Sequence, residues 1–266
     1  MIFDYIVVGI LGLVIGSFLN VVVHRVPRHE SIIHPASHCP HCNHALQPLE
    51  NIPIISWLFL RGRCSACGSC IAWRYPALEL LCGLLTLVVF SQVGLTLELL
   101  PALIFTWMLL ALTLIDLETR LLPDRITKPG IVTGLLVSST AFAWPGIALA
   151  TPLNALLGVI AGYGGLWLLS AGYHRVTGRY GMGGGDLKLL GMIGAWLGWQ
   201  AVFLTLFIAA LSGGLVAVVY LLSGKSPADG KRRYYALPFG PYLALGGWLM
   251  LLWPQQIIHG YLHILE

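Results

Sequence analysis

Charged residues are scarce in this chain. Of its 266 residues, 10% are Asp, Glu, Lys or Arg, whereas 57% are hydrophobic, and the mean hydropathy is +0.82. Soluble domains carry about 25% charged residues, so the composition excludes an ordinary soluble enzyme built on one core. Alternating segments of about ten residues, which would indicate a membrane β-barrel, are also absent. Apolar runs of about 18 residues recur instead and predict an all-α polytopic membrane protein.

Familiar catalytic motifs are missing as well. The chain contains no Gly-x-Ser-x-Gly, no His-Glu-x-x-His and no P-loop sequence. These absences disfavour serine hydrolases, zinc proteases of the zincin type and ATPases. A soluble aspartic protease is excluded too, because its β-rich chain would not have this composition.

About eight apolar segments are candidate transmembrane helices. The fourth and the sixth are the shortest, and we expect the sixth to be tilted, partly re-entrant or extended by its flanks. No cationic region precedes the first segment and no small-residue cleavage site follows it, so residues 1–23 are expected to form an uncleaved anchor. In order, the segments are Tyr5–Val23, Ala77–Val93, Leu97–Ile115, Gly130–Trp144, Leu153–Tyr173, Leu189–Leu197, Ala201–Leu222 and Leu237–Trp253.

The positive charges predict how the chain is oriented. All 15 Lys and Arg residues lie in alternate connections between the predicted spans, namely residues 24–76, 116–129, 174–188 and 223–236. Because short basic loops are retained in the cytoplasm, both termini are expected outside and these four connections inside. We expect the basic residues to hold this topology and to contact anionic membrane lipid, not nucleic acid.

The connection 24–76 contains a cysteine pattern typical of metal sites. It is too short to be stabilised by a core alone, and it holds two Cys-x-x-Cys pairs separated by 21 residues. Each pair can supply two thiolates to a tetrahedral zinc ion. Two disulfides are a competing interpretation that the reducing cytoplasm disfavours, and idle thiols are a third. We predict a small cytoplasmic zinc-binding loop domain with Cys70 and Cys82 as bystanders; the ligands are Cys39, Cys42, Cys64 and Cys67.

Two aspartates occupy positions where a membrane protein rarely places an acid without use. Asp116 ends a long apolar run, and Asp186 follows the glycine-rich string 181–185. Ionisable groups at a membrane boundary are costly and tend to mark a site. Within that string, Gly183 and Gly185 leave room beside Asp186 for an extended peptide. Paired carboxylates suit peptide hydrolysis, although each aspartate alone is equally compatible with capping a helix or pairing with an Arg.

A third acid, Asp124, directly follows Pro123 and is expected to begin or cap the next segment and to be dispensable for chemistry. Helix ends also suggest different roles within the pair of Asp116 and Asp186. Asp116 is expected near a helix carboxyl end, which disfavours an anion, and Asp186 near an amino end, which favours one. This asymmetry predicts Asp186 as the base and Asp116 as the acid.

Five blocks, in order across nearly the whole chain, resemble the type IV prepilin peptidases, membrane aspartic proteases of the Gly-x-Gly-Asp type. The resemblance implies removal of the short basic leader from type IV prepilins and type II secretion pseudopilins at the cytoplasmic face of a bacterial inner membrane. It also implies Asp116 and Asp186 as the catalytic pair. The blocks are Gly16–Val22 with Arg25 and Pro27; the cysteine loop closing on Arg74-Tyr75-Pro76 with Glu79; Asp116–Asp124; Gly181–Leu190; and Pro238–Leu243.

The long cysteine loop is the one that bifunctional members carry, so the resemblance further implies N-methylation of the new amino terminus with S-adenosylmethionine. No glycine-rich strand–turn–helix for that cofactor is visible, and its binding residues and the oligomeric state stay open. The predicted domains are the anchor (1–23), the cysteine-rich domain (24–76) and a membrane-embedded peptidase domain (77–266), with both termini periplasmic. The alternatives are an ion- or proton-coupled transporter, disfavoured because the acids lie at one interface and no inverted repeat is apparent, and a non-catalytic secretion-assembly subunit.

Overall fold

The computed structural model describes residues 2–142, 144, 146–147, 149–178, 183–223 and 238–257, and the regular elements among them are all helical. This confirms the predicted all-α class. Short 3-10 turns cover Val26–Arg28, Pro48–Asn51 and Thr140–Phe142, and a π-helical turn, Ile160–Gly165, joins two helices. The α-helices are α1 (Ile2–Arg25), α2 (Ile55–Phe59), α3 (Arg74–Val93), α4 (Leu99–Thr119), α5 (Asp124–Ser139), α6 (Pro152–Val159), α7 (Leu166–Thr177), α8 (Gly184–Leu197), α9 (Trp199–Leu222) and α10 (Gly240–Leu252).

Five helical stretches in the described part of the chain are long and apolar enough to cross a membrane: Ile2–Arg28, Arg74–Val93, Leu99–Thr119, Pro152–Thr177 and Trp199–Tyr220. The chain is therefore an integral membrane protein, but the predicted count of eight spans is not confirmed. The other three predicted spans fall on α5, α8 and α10, which have 16, 14 and 13 residues. A helix needs about 20 residues to cross the hydrocarbon core. Leu237, the first residue of the last predicted span, lies outside the described residues.

The chain divides into two compact units, Met1–Ala111 and Leu112–Glu266. In the first unit, α1 and α3 pack so closely that side chains are excluded at two glycines of α1. A Cβ on Gly12 would lie 2.9 Å from the Cα of Gly83, and one on Gly16 would lie 2.7 Å from the Cα of Glu79. Small residues at such crossings let two helix backbones approach in a membrane.

Helix α8 is the central element of the second unit, with α5, α6, α9 and α10 packed around it. It has apolar side chains on all sides because it is buried on all sides, which explains why its 14 residues resemble a short span. Gly158 of α6 and Gly194 of α8 meet backbone to backbone, so a Cβ on either would lie 2.2 Å from the carbonyl oxygen of the other. This packing fixes the helix whose first turn carries Asp186.

Candidate functional site

Asp116 lies in the last turn of α4 and is 5% exposed. Its carboxylate Oδ2 accepts a hydrogen bond from the backbone N–H of Gly240, at an N–O distance of 3.0 Å. Gly240 is the first residue of α10. The carboxylate therefore lies against the amino-terminal end of another helix, although it is near the carboxyl end of its own.

Asp186 lies in the first turn of α8, as expected, and is partly buried. A Cβ on Gly183 would be in ordinary contact with Asp186 Oδ2, at 3.4 Å, and Gly184 faces open space. A Cβ on Gly185 would lie only 2.8 Å from Leu122 Cβ. Gly185 is thus needed for packing against Leu122, whereas Gly183 and Gly184 keep the space beside the carboxylate free. The other two members of the predicted string, Gly181 and Met182, lie outside the described residues.

The second unit brings the two predicted aspartates close enough for their charges to interact. Within the described residues, neither Asp116 nor Asp186 is in an ion pair with an Arg, a Lys or a His. Sequence reasoning missed the contribution of Gly240, which appeared only inside the closing block Pro238–Leu243.

Asp124 has different surroundings. As predicted, it begins α5, after Pro123 as the N-cap residue. Its Oδ2 lies 2.7 Å from Lys128 Nζ, and its Oδ1 contacts Lys188 Nζ. These two ammonium groups hold the pKa of Asp124 below its usual value, and Lys128 has the larger effect. Asp124 therefore joins α5 to α8 by ion pairs.

The four predicted zinc ligands converge in the first unit. The sulfur atoms of Cys39, Cys42, Cys64 and Cys67 all lie within 4.8 Å of one another. Cys39 Sγ is 3.8 Å from Cys67 Sγ, and Cys42 Sγ is 4.0 Å from Cys64 Sγ. These distances exclude disulfide bonds, whose sulfur atoms are about 2.05 Å apart. They fit tetrahedral zinc, since a Zn–S distance of about 2.3 Å separates the sulfur atoms by about 3.8 Å.

The two Cys-x-x-Cys segments have the same backbone geometry. In each, the residue four positions after the first cysteine has a positive φ and donates its N–H to that cysteine's carbonyl oxygen: Asn43 to Cys39 and Gly68 to Cys64, both at 2.9 Å. Backbone N–H groups of His41 and Cys42 lower the pKa of Cys39 to about 5. A lowered pKa favours the thiolate, which is the form that binds metal.

The remaining cysteines lie apart from this cluster. Cys70 is exposed and pairs with Arg63 in an isolated antiparallel bridge, and Cys82 is buried inside α3. Both lie outside the cluster formed by the four predicted ligands. Among the histidines of the same segment, His44 approaches Glu50 Oε2 at 3.1 Å and the His38 ring lies 3.0 Å from the Ala36 carbonyl oxygen.

The fold and the two sites define a helical membrane protein with a buried and a partly buried aspartate in one unit and a four-thiol cluster in the other. A family model described as the bacterial peptidase A24 N-terminal domain matches residues 10–93, and the model of the type IV leader peptidase family matches residues 103–218. No solved structure matches the chain.

Curated relatives match almost the whole chain. A prepilin leader peptidase/N-methyltransferase of Pseudomonas putida is 43% identical, with 93% of this chain and 90% of the relative covered. Proteins of the same name from Stutzerimonas stutzeri and Pseudomonas aeruginosa are 40% and 39% identical; each alignment covers 95% of this chain, and 92% and 91% of the respective relative. The chain belongs to the type IV leader peptidase family. This confirms the resemblance deduced from the five sequence blocks, and a transporter or a non-catalytic subunit is not favoured.

Proposed function

We propose that this protein removes the leader peptide from prepilins and pseudopilins and methylates the amino terminus that cleavage exposes. The relatives that match nearly the whole chain are named for both activities, and both family models match. The observation that carries the peptidase activity is the pair formed by Asp116 and Asp186, whose charges interact within one unit.

The two aspartates are the proposed catalytic residues. Two carboxylates whose charges interact resist simultaneous ionisation, so one retains a proton. The ionised member takes a proton from water, whose oxygen attacks the scissile carbonyl, while the protonated member polarises the carbonyl oxygen. The aspartate that took the proton from water then gives it to the leaving nitrogen, and collapse of the tetrahedral intermediate breaks the C–N bond to yield the leader's carboxylate and a free amino terminus. The N–H of Gly240 holds Asp116 in place during these steps.

The helix-end argument for the separate roles loses its force in this structure. Asp186 lies at the amino-terminal end of α8, and Asp116 accepts an N–H from the amino-terminal end of α10. Both ends favour an anion. Helix dipoles therefore do not decide which aspartate is the base, and the pair is best treated as sharing one proton.

We further propose that the four clustered cysteines bind one structural zinc ion. The sulfur separations of 3.8 and 4.0 Å and the matching Cys-x-x-Cys backbones support this assignment. The segment 24–76 has only a short α-helix and two 3-10 turns of its own besides the ends of α1 and α3. Zinc bound to the thiolates would supply the stability that such a segment cannot draw from a core.

The proposed location is a bacterial inner membrane, with the active site at the cytoplasmic face and both termini in the periplasm. The support is positional: Arg120, Arg125, Lys128 and Lys188 follow the two aspartates closely in sequence, and short basic segments are retained in the cytoplasm. The functional division into an anchor (1–23), a cysteine-rich domain (24–76) and a peptidase domain (77–266) is likewise a proposal. S-adenosylmethionine is the proposed methyl donor, because the relatives are named N-methyltransferases.

One reconstituted assay tests both activities. Full-length protein purified in detergent is incubated with a tagged prepilin, with and without S-adenosylmethionine, and the products are analysed by mass spectrometry. We expect leader release in both samples and a methylated mature amino terminus only with the donor. An uncut leader under conditions where the protein is folded would contradict the proposal.

A further inference from the structure

A cavity of about 340 Å³ lies in the first unit, between one face of α1 and the segment that leads to the cysteines. Its volume is in the range of about 300–1,000 Å³ typical of sites for small molecules. Both apolar and polar side chains form its wall. The lining residues are Val14, Ser17, Phe18, Val21, Arg25, Ile32, Ile33, Pro35, Ala36, Ser37, Asn51 and Pro53.

The cavity changes in polarity along α1. Its α1 residues are spaced three to four apart or adjacent, so they share one helix face. Val14, Phe18 and Val21 make the inner part apolar, and Arg25 supplies a guanidinium at the end of the helix, about 16 Å from Val14. On the opposite wall, Ser37 and Asn51 add hydrogen-bonding groups.

A buried carboxylate contacts one residue of the α1 side of the cavity. Glu79 of α3 is 8% exposed, and its Oε2 accepts the N–H of Ile54 at 2.8 Å. Its second neighbour is the hydroxyl of Ser17, which lines the cavity. Ile54 has φ +61°, a strained conformation for a β-branched residue, and it follows Pro53 of the cavity wall. Strained backbone conformations of this kind persist where surrounding contacts fix them, and they cluster at ligand-binding and active sites.

We infer that this cavity binds the methyl donor, S-adenosylmethionine. The inference rests on the proposed function, because the relatives' name supplies the second activity but no site for it. The donor is zwitterionic, with a carboxylate, two cationic centres and a flat aromatic base. Arg25 suits the carboxylate, the Ser17 oxygen, whose hydroxyl donates to Glu79, can accept from the ammonium group, and the apolar wall with Phe18 suits the base. The lining thus combines a cationic side chain, hydroxyl and amide groups and an apolar surface in one cavity.

The other described cavity does not fit this ligand. It is lined by Leu49, Glu50, Ile52, Ile55, Ser56, Phe59 and Leu60, and it contains no cationic side chain for a carboxylate. A membrane phospholipid is the rival occupant of the first cavity, since its phosphate would also pair with Arg25. Competition between added phospholipid and the methyl donor distinguishes the two occupants.

Binding of S-adenosylhomocysteine to the full-length protein in detergent tests the inference by calorimetry. Val21→Trp fills the cavity, and Val7→Trp is its matched control, two heptads away on the same face of α1 and outside the cavity. We expect Val21→Trp to raise Kd at least tenfold and Val7→Trp to leave it within twofold. Arg25→Gln should raise Kd as well, whereas Arg28→Gln, outside the cavity, should not. An unchanged Kd in both Val21→Trp and Arg25→Gln would overturn the inference.

Photolabelling of the wild-type protein avoids any dependence on folded variants. Radiolabelled S-adenosylmethionine, cross-linked by ultraviolet light, should mark peptides within residues 14–25 and 32–53. Label confined to residues 112–257, or label that added phospholipid displaces but S-adenosylhomocysteine does not, would overturn the inference. Leader cleavage by the same wild-type preparation tests the proposed function separately: cleavage with misplaced label rejects only this site, and an uncut leader rejects the proposed function.

Discussion

The backbone N–H of Gly240 donates a hydrogen bond to the carboxylate of Asp116 across a sequence separation of 124 residues, with 3.0 Å between nitrogen and oxygen. This contact brings the start of α10 to the end of α4 within the second unit. Gly240 is buried there, and a Cβ at its position would lie 2.6 Å from Asp116 Oδ2. Only glycine allows the carboxylate to approach this N–H so closely.

Gly240→Ala should therefore displace the Asp116 carboxylate and lower kcat for leader cleavage by about tenfold or more, since small displacements of a reacting group are costly. The matched control is Gly214→Ala in α9, where a Cβ would meet nothing within 4 Å. Steady-state cleavage of a tagged prepilin by the two variants measures the difference. Equal activity of Gly240→Ala and wild type would show that the contact has no part in the reaction.

Gly194→Ala should destabilise the second unit, because its Cβ would lie 2.2 Å from the carbonyl oxygen of Gly158. Overpacking of this kind costs about 1–3 kcal/mol or more, and here it also shifts the helix that carries Asp186. We expect a lower apparent Tm together with reduced cleavage. Gly172→Ala in α7, where a Cβ would face open space, is the control and should change neither quantity. A wild-type Tm for Gly194→Ala would reject the proposed tight crossing of α6 and α8.

Asp124→Asn should retain leader cleavage at neutral pH but lose a pH-dependent contribution to stability. The ammonium groups of Lys128 and Lys188 lower the pKa of Asp124 in the folded protein, so this contribution is present above the unfolded pKa and is lost as the pH falls through the folded value. The variant should melt at most about 4 °C below wild type at pH 7; this difference should begin to shrink as the pH falls below about 4 and should vanish once the pH is below the folded pKa. Thermal scans at several pH values measure it. Loss of cleavage, or a difference that persists undiminished in acid, would contradict this structural role.

Cys39→Ser should abolish binding of the single zinc ion and should impair methylation more than leader cleavage. The reason is local: Ser37, two residues before Cys39, forms part of the cavity wall assigned to the methyl donor, whereas Asp116 and Asp186 lie in the other unit. Elemental analysis and parallel assays of both activities provide the measurement, with Cys70→Ser as the control outside the cluster. A zinc-free wild-type protein would refute the metal site, and equal loss of both activities in folded Cys39→Ser would refute the separation.

Features set by local sequence were predictable. The convergence of Cys39 with Cys42, and of Cys64 with Cys67, follows from Cys-x-x-Cys spacing, because a short turn brings both thiols of a pair to one side. The start of α5 at Asp124 follows from the preceding proline, which cannot continue a helix interior. Helical class followed from hydropathy, because only internally hydrogen-bonded helices carry long apolar runs through a membrane.

Features set by tertiary packing could not be predicted from the sequence. Hydropathy does not separate a lipid-facing span from a helix buried among other helices, so α8 was predicted as a short span although its neighbours in the second unit surround it. The contact of Gly240 with Asp116 depends on two helices far apart in sequence, and no local pattern encodes it. The same contact removes the basis on which helix dipoles were expected to separate the roles of the two aspartates. The sequence suggests that Gly185 leaves room for a peptide beside Asp186, whereas in the structure Leu122 packs against Gly185.

The central claim is that Asp116 and Asp186 act as one catalytic pair, and leader cleavage by Asp116→Asn and Asp186→Asn tests it most directly. Each amide is nearly isosteric with the carboxylate but cannot exchange a proton, so we expect each variant to lose cleavage by about 1,000-fold or more. Folding is checked by zinc content and apparent Tm, with Asp124→Asn as the active control. Loss of cleavage in both folded variants is the predicted result; wild-type cleavage by either one would contradict the two-aspartate mechanism.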